Sequence, residues 1–255
     1  MKLRMLGSGT SSGVPRIGGD WGACDPGEPK NRRTRVSILI ETPTTRVLID
    51  TGPDMRAQLL AAGTADIDAV IWTHDHADHC HGIDDLRQVF HYRGTPVDCH
   101  ARPATAATLE SRFGYVFHGR GGYPPTARLH VLEEPITIGD LRIRWVDQPH
   151  GRITSLGLRF EDDRGHAIGY ATDFSSLTDD MRTLYHGVDV WVVDALRRAP
   201  HPSHPTLDEA LRWIAELAPA RAVLTHMDQT MDYATLLGVL PQGVEPGFDG
   251  LEIML

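Results

Sequence analysis

The sequence predicts an α/β (α+β) protein in which β-sheets are flanked by helices. Short apolar runs bounded by turn residues recur along the chain and outnumber the stretches with helical periodicity, which favours sheets over a helical bundle. The 255 residues can bury a substantial core, and they show no repeat, low-complexity tract or obvious linker. We therefore expect a single domain that spans residues 1–255.

The predicted strands are distributed along the whole chain. They cover residues 2–6, 36–41, 46–50, 69–73, 97–100, 141–146, 155–160, 167–171, 190–193, 222–225 and 251–254. Helices are predicted over 54–62, 83–92, 103–113, 178–185 and 206–217. The last helix has the strongest signal, because Thr206 can cap it and Glu209 follows three residues later. Its apolar stripe consists of Leu207, Ala210, Leu211, Ile214 and Leu217.

The least regular part of the chain is the glycine- and proline-rich segment 114–125. A long stretch without strand or helix pattern is usually functional or disordered. We interpret this segment as a lid or wall of a pocket, and a passive surface loop stays open as the alternative.

Composition is that of an ordinary soluble protein, with 41% hydrophobic and 23% charged residues. The formal charge of −9 argues against a general nucleic-acid binder, which carries a basic face. No apolar run has the length of a membrane span, so we expect no membrane partner. The cysteines Cys24, Cys80 and Cys99 are odd in number and irregularly spaced, which predicts a reduced, cytoplasmic protein without a disulfide framework.

The most informative motif follows the predicted strand 69–73. Three histidines and two aspartates lie within six residues, as His74, Asp75, His76, Asp78 and His79. Such groups are costly to bury unless they are paired or bind a metal, and imidazole with carboxylate suits divalent transition metals, zinc above all. The motif therefore predicts a metal site at the end of a strand.

Three further ligand-type residues lie just beyond predicted strands. His150 follows the strand 141–146, Asp173 follows 167–171, and His226 follows 222–225. Loops at strand ends are where a rigid scaffold carries its functional residues, so we expect these side chains to join the motif.

With these residues in this order, the chain resembles the metallo-β-lactamase superfamily. The turn at Asp50-Thr51-Gly52 and the opening segment 6–15 also match, and the resemblance is greatest to the PhnP-like phosphodiesterases, which are neighbours of tRNase Z. It implies a four-layer αββα sandwich of two mixed β-sheets flanked by helices. It also implies two divalent metal ions, most simply zinc, with manganese, iron or nickel as alternatives.

The resemblance assigns the ligands residue by residue. His74, His76 and His150 would bind the first metal, and Asp78, His79 and His226 the second, with Asp173 bridging them. Two such ions lower the pKa of a shared water and clamp the attacking and leaving oxygens. Asp78 would also orient or deprotonate the resulting hydroxide.

The resemblance also implies that His204 is the general acid. His204 lies just before the predicted helix 206–217, and the matching histidine of the family faces the scissile phosphate. The pKa range of histidine suits a general acid at neutral pH. His201 stays open as a rival for this role.

Other residues receive supporting roles. Asp50 is expected to fix the ligand loop by hydrogen bonds, and Asp75 to be either a partner of the metal ligands or a cap at the strand end. The opening loop could cradle a phosphate through Ser8, Thr10 and Ser11, although a tight turn explains it equally well. Where PhnP carries a cysteine cluster for a structural zinc, this chain has Cys24 alone, so we expect no such zinc.

The leading functional hypothesis is a phosphodiesterase for small phosphate diesters, cyclic ones such as phosphoribosyl cyclic phosphate among them. A tRNase Z-like nuclease is the nearest alternative, but segment 114–125 has Arg120 as its one cationic residue and the chain is acidic. An acyl hydrolase (lactonase or thioesterase) and a PqqB-type accessory protein are the others. The oligomeric state stays open, with a homodimer as one alternative.

Overall fold

Two seven-stranded sheets form the centre of the molecule, which a computed structural model describes over residues 1–255. The strands are β1 (Lys2–Gly7), β2 (Ser37–Glu41), β3 (Arg46–Ile49), β4 (Ala69–Ile71), β5 (Val97–Ala101), β6 (Ala127–Val131), β7 (Ile136–Ile138), β8 (Leu141–His150), β9 (Ile153–Glu161), β10 (Ala167–Ala171), β11 (Val190–Asp194), β12 (Arg221–Thr225), β13 (Val244–Pro246) and β14 (Glu252–Met254). The first sheet has the order β14-β1-β2-β3-β4-β5-β6 and the second β13-β12-β11-β10-β9-β8-β7. Each combines parallel and antiparallel pairs, so both sheets are mixed, as predicted.

Helices cover the outer face of each sheet. They are α1 (Met55–Ala62), α2 (Ala77–Cys80), α3 (Leu86–Arg93), α4 (Pro103–His118), α5 (Asp179–Tyr185), α6 (Leu207–Leu217) and α7 (Tyr233–Leu237). No helix is both long and apolar enough to cross a membrane. Helix α6 begins with the predicted capping box, in which Thr206 and Glu209 bond each other's backbone N–H groups.

The alternation of side chains along the strands builds three apolar layers. In β2, for example, Ile38 and Ile40 belong to the cluster between the two sheets, whereas Leu39 belongs to the cluster under the helices of the first sheet. A third cluster joins the second sheet to helices such as α6. The result is helix, sheet, sheet, helix, which confirms the predicted αββα sandwich.

The elements that the sequence pattern missed lie mainly at sheet edges. Strands β6 and β13 are the outermost strands of their sheets, and β7 is the outermost on the other side of the second sheet. An edge strand has one neighbour and leaves many side chains exposed, so its apolar pattern is weak. The short helices α2 and α7 were missed because four and five residues are too few for a periodic pattern.

Segment 114–125 is more regular than the sequence predicted. Helix α4 continues past a kink at Phe113 to His118, so almost half of the segment is helical. The rest forms a turn whose Tyr123 contacts His91 and Arg87 on α3. These contacts place the turn against α3, and none of them involves the predicted metal ligands.

Candidate metal centre

Strand ends of both sheets deliver polar residues to one edge of the sandwich. Strands β3 and β4 are parallel in the first sheet, and β10, β11 and β12 are parallel in the second. The carboxyl ends of parallel strands lie side by side, which is where α/β proteins place their sites. The side chains that gather there are Asp50, His74, His76, Asp78, His79, His150, Asp173, Asp194, His204 and His226.

The first group consists of His74, His76 and His150, with one ligand atom of each within 4.8 Å of the others. Two come from the motif after β4, and the third is the last residue of β8. His150 Nε2 lies 3.4 Å from His76 Nδ1. Three imidazoles converging at this distance could hold one divalent ion.

The second group consists of Asp78, His79 and His226. Asp78 Oδ2 lies 3.3 Å from His79 Nε2 and 3.7 Å from His226 Nε2. Helix α2 begins immediately after His76 and turns Asp78 and His79 toward the strand ends. Two imidazoles and a carboxylate could hold a second ion.

Asp173 lies between the two groups. Its Oδ1 is 3.6 Å from His150 Nε2 and 3.5 Å from His226 Nε2, and its Oδ2 is 3.2 Å from His79 Nε2. The residue adopts a left-handed backbone with φ of 57°, which is rare for a side chain other than glycine. A carboxylate in this position could contact an ion held by either group.

The hydrogen bonds of the imidazoles fit metal ions at both positions. His79 Nδ1 donates to Asp50 Oδ2 at 2.7 Å, and His150 Nδ1 donates to the carbonyl of Ser203 at 3.0 Å. Each bond fixes the tautomer and leaves the Nε2 lone pair free, as in metal-binding histidines. The Nε2 atoms of His74, His79 and His226 are buried without a hydrogen-bond partner. Buried orphan atoms of this kind need a partner such as a metal ion.

Asp50 has the supporting position that the sequence predicted. It is fully buried and also accepts bonds from the backbone N–H and hydroxyl of Thr73, each at 2.8 Å. It therefore fixes both the start of the ligand motif and the ring of His79.

Asp194 was not recognised in the sequence, although it directly follows the predicted strand 190–193 and is the last residue of β11. The carboxylate is buried, and its Oδ2 accepts from the backbone N–H of Asp173 at 2.9 Å and from His204 Nδ1 at 2.8 Å. The other ring nitrogen of His204, Nε2, lies 3.8 Å from Asp173 Oδ1. The available signal was an aspartate directly after an apolar strand, a placement similar to that of Asp173.

His201 has no such anchor. It is partly exposed, its Nδ1 faces the N–H and hydroxyl of Ser203 at 3.3 Å, and its ring is 5.0 Å from that of His204. Of the two histidines, His204 is therefore the one that a carboxylate orients toward the centre.

Electrostatics differ between the two groups. Burial lowers the pKa of His74 and of His150 below the usual histidine value. Burial also opposes charge on His79 and His226, but Asp173 and neighbouring carboxylates outweigh it, raising the pKa of His79 well above its usual value and that of His226 to about 9. Burial thus dominates the pKa at His74 and His150, whereas nearby carboxylates dominate it at His79 and His226.

Two sequence predictions need correction. Ser8 is fully buried, and its N–H and hydroxyl both donate to Asp249, so its hydroxyl is not available to a substrate. Asp75 pairs with Arg112 of α4 instead of a metal ligand. Of the other loop residues, Thr10 is buried with its N–H bonded to the carbonyl of Met227, and Ser11 is exposed.

A family model described as "Beta-lactamase superfamily domain" matches residues 45–227, most of the chain and nearly all of the edge described above. The chain belongs to the metallo-β-lactamase superfamily. It thus has the fold of a superfamily that includes metal-dependent hydrolases. Binding of divalent metal follows from the fold.

The PhnP-like branch of the superfamily is also confirmed. The crystal structure of a diphosphatase from the PhnP family is 35% identical, covers 99% of this chain and 96% of its own, and has a TM-score of 0.90. The zinc-bound PqqB of Methylobacterium extorquens is 20% identical with a TM-score of 0.80, covering 100% of both chains, and shows the fold alone.

A curated relative has a different name. The octanoyltransferase of Porphyromonas gingivalis is 33% identical over 262 residues, which is 100% of this chain. The match takes up 52% of that protein, so this chain spans about half of its length.

Proposed function

We propose that this superfamily member hydrolyses small phosphate diesters at a centre that holds two divalent metal ions. His74, His76 and His150 would hold one ion, Asp78, His79 and His226 the other, and Asp173 both. The observation that carries this proposal is the position of Asp173, within 3.6 Å of Nε2 atoms from both groups. When bound, two such ions supply an activated water and neutralise the charge of phosphate oxygens.

The protein residues add orientation and a proton. Asp78 is the partly exposed member of the second group and would orient the attacking water. His204, held by Asp194, would donate a proton from Nε2 to the leaving oxygen of the diester. An alkoxide is a poor leaving group without that proton, so the Asp194–His204 pair suits ester oxygens.

This pair also distinguishes phosphate diesters from thioesters. A thiol has a pKa of about 8.5, so a thiolate leaves without help from an acid. The name of the octanoyltransferase refers to acyl chemistry, but it belongs to a chain about twice as long, so the name does not assign that chemistry to the matched half. The net charge of −9 disfavours the nuclease alternative, because phosphate contacts along RNA need cationic side chains.

The experiment is metal analysis of the purified protein together with turnover of bis-p-nitrophenyl phosphate, a β-lactam and a thioester. We expect about two metals per chain and turnover of the diester, lost in His76→Ala. Two metals with turnover of the thioester alone would replace the proposal with acyl hydrolysis. One metal and no turnover of any substrate would favour an accessory role.

A further inference from the structure

His226 differs from the other buried imidazoles of the centre in how it is held. His79 and His150 each donate a hydrogen bond from Nδ1 to the protein, whereas neither ring nitrogen of His226 has a hydrogen-bond partner. Its ring stacks on that of His204 at 4.7 Å. Its backbone is left-handed, with φ of 57°, a conformation that the surrounding structure has to maintain. No ring hydrogen bond fixes this imidazole, so its position depends on the main chain that carries it together with packing against His204.

The main chain after His226 is bound to an N-terminal loop by the guanidinium of Arg33. Arg33 Nη2 donates to the carbonyl of Met231 at 2.6 Å, and Nη1 donates to the carbonyl of Asp228 at 3.4 Å. A planar fork that points donors at two separate carbonyls fixes both the distance and the angle between the segments.

Further contacts join the same two segments. Asn31 accepts from the backbone N–H of Tyr233 at 2.8 Å and donates to Asp232 at 2.7 Å. Gly22 is packed so closely on Gln229 that a Cβ atom there would lie 2.4 Å from its Cγ. Residues 22–33 thus form a platform for residues 228–233.

Arg33 holds this platform together at an energetic cost. The residue is 2% exposed, and its donors reach Cys24 Sγ, Asn31 Oδ1 and the two carbonyls but no carboxylate. A buried cation with no carboxylate in direct contact is costly, although Asp249 and Asp232 favour its charge from a distance, and an apolar side chain would fill the same space without that cost. The two bonds to the segment after His226 give the guanidinium a role that an apolar side chain lacks.

We propose that Arg33 is a positioning residue for the second group of the metal centre, through His226. Through the carbonyls of Asp228 and Met231 it holds the main chain that carries His226, and thereby sets the affinity of the second metal. The inference rests on the two-metal centre proposed above. It predicts that the first metal, bound by side chains on other loops, does not depend on Arg33.

The test is titration of the metal-free full chain with Co²⁺, whose absorption reports the geometry of each site, for wild type, Arg33→Met, Arg33→Lys and Arg32→Met. We expect Arg33→Met to weaken the second Co²⁺ about 10- to 100-fold, the usual effect of removing an outer partner, while the first is unchanged. Arg33→Lys should restore the second site only in part, because one ammonium cannot span both carbonyls. The neighbouring Arg32 is exposed over Trp21, so Arg32→Met is the matched control and should behave like wild type.

Equal loss of both Co²⁺ ions in Arg33→Met, or wild-type affinity at both, would overturn the inference. If Arg33→Met does not fold, Asn31→Ala decides, since it loosens the same platform and leaves Arg33 in place; an unchanged second site there also overturns it. Wild-type protein that takes up only one Co²⁺ would refute the two-metal centre itself, before any variant is compared.

Discussion

The first sheet supplies its ligand side chains from one six-residue segment, 74–79, whereas the second sheet supplies His150, Asp173 and His226 from three separate strands. Behind the first-sheet ligands lies Asp50, whose three hydrogen bonds fix Thr73 and His79. On the second-sheet side, His150 donates to the carbonyl of Ser203, and Asp194 accepts from the backbone N–H of Asp173. One side of the centre thus relies on a single buried carboxylate, whereas the ligands of the other side are held by different partners.

This difference determines how easily each set of ligands is recognised in the sequence. A compact segment is visible in the sequence because its spacing is short, whereas ligands brought together by three strand ends are visible only through the strands that carry them. The second-sheet side therefore depends on the whole sandwich being correct. Each metal group takes ligands from both sheets, so the variants below are compared by their effects on each metal.

Asp173→Asn should have the largest effect, because this residue contacts ligands of both metal groups. An amide keeps the size of the side chain but removes the negative charge that faces His79, His150 and His226. We expect both metals to bind more weakly and diester turnover to fall roughly 10³-fold, since metal ions supply several kcal/mol of transition-state stabilisation. Metal analysis and kinetics check this; loss of one metal only would show that Asp173 serves only one of the two metal groups.

His204→Ala should reduce turnover while both metals remain bound. General-acid catalysis contributes about 10²- to 10⁴-fold, so kcat should fall by that order for an ester with an alkyl leaving group. The loss should be smaller for bis-p-nitrophenyl phosphate, because p-nitrophenolate leaves readily without a proton. His201→Ala is the matched control. If His201→Ala shows the leaving-group dependence instead, the assignment of the acid moves to His201.

Asp50→Asn tests how far the first-sheet half depends on its buried carboxylate. An asparagine would turn an NH₂ group toward donors of Thr73 or His79, so His79 loses its orientation. We expect the second metal to bind about 10- to 100-fold more weakly, with the first less affected. Asp68→Asn is the control, because Asp68 precedes the neighbouring parallel strand β4, at the opposite end of the sheet from Asp50, and bonds Arg46 and Arg93. Calorimetric metal titration measures both variants; equal effects would contradict this account.

The pH dependence of metal binding should differ between the two metal groups. His74 and His150 have lowered pKa values and are neutral at pH 7, so the first metal displaces no proton from them. The pKa of His226 is raised to about 9, so a metal at the second site must displace its proton below that pH. The second affinity should therefore rise by about tenfold per pH unit for each proton displaced from pH 7 to 9, then level off. Titrations with Co²⁺ in buffers of different ionisation enthalpy count the protons; equal slopes would remove the distinction.

Much of the fold was predictable because the inner strands carry strong apolar patterns. Each of the eleven predicted strand positions overlaps a strand in the structure, and the capping box of α6 is present as predicted. The edge strands β6, β7 and β13 were not predicted, since their exposed sides weaken the pattern. Segment 114–125 was misjudged because a glycine inside α4 resembles a loop signal.

The sequence by itself determined the chemistry of the centre: which residue types gather after strands, and the short segment in which five of them lie. Strand periodicity and ligand type are local properties, so they are readable without coordinates. Tertiary structure decided which partners these residues meet. It directed Ser8 to Asp249, Asp75 to Arg112 and His204 to Asp194, and it buried Arg33 beneath the segment that follows His226. Those pairings join positions far apart in the chain, and only the packing of two sheets and their loops fixes such distances.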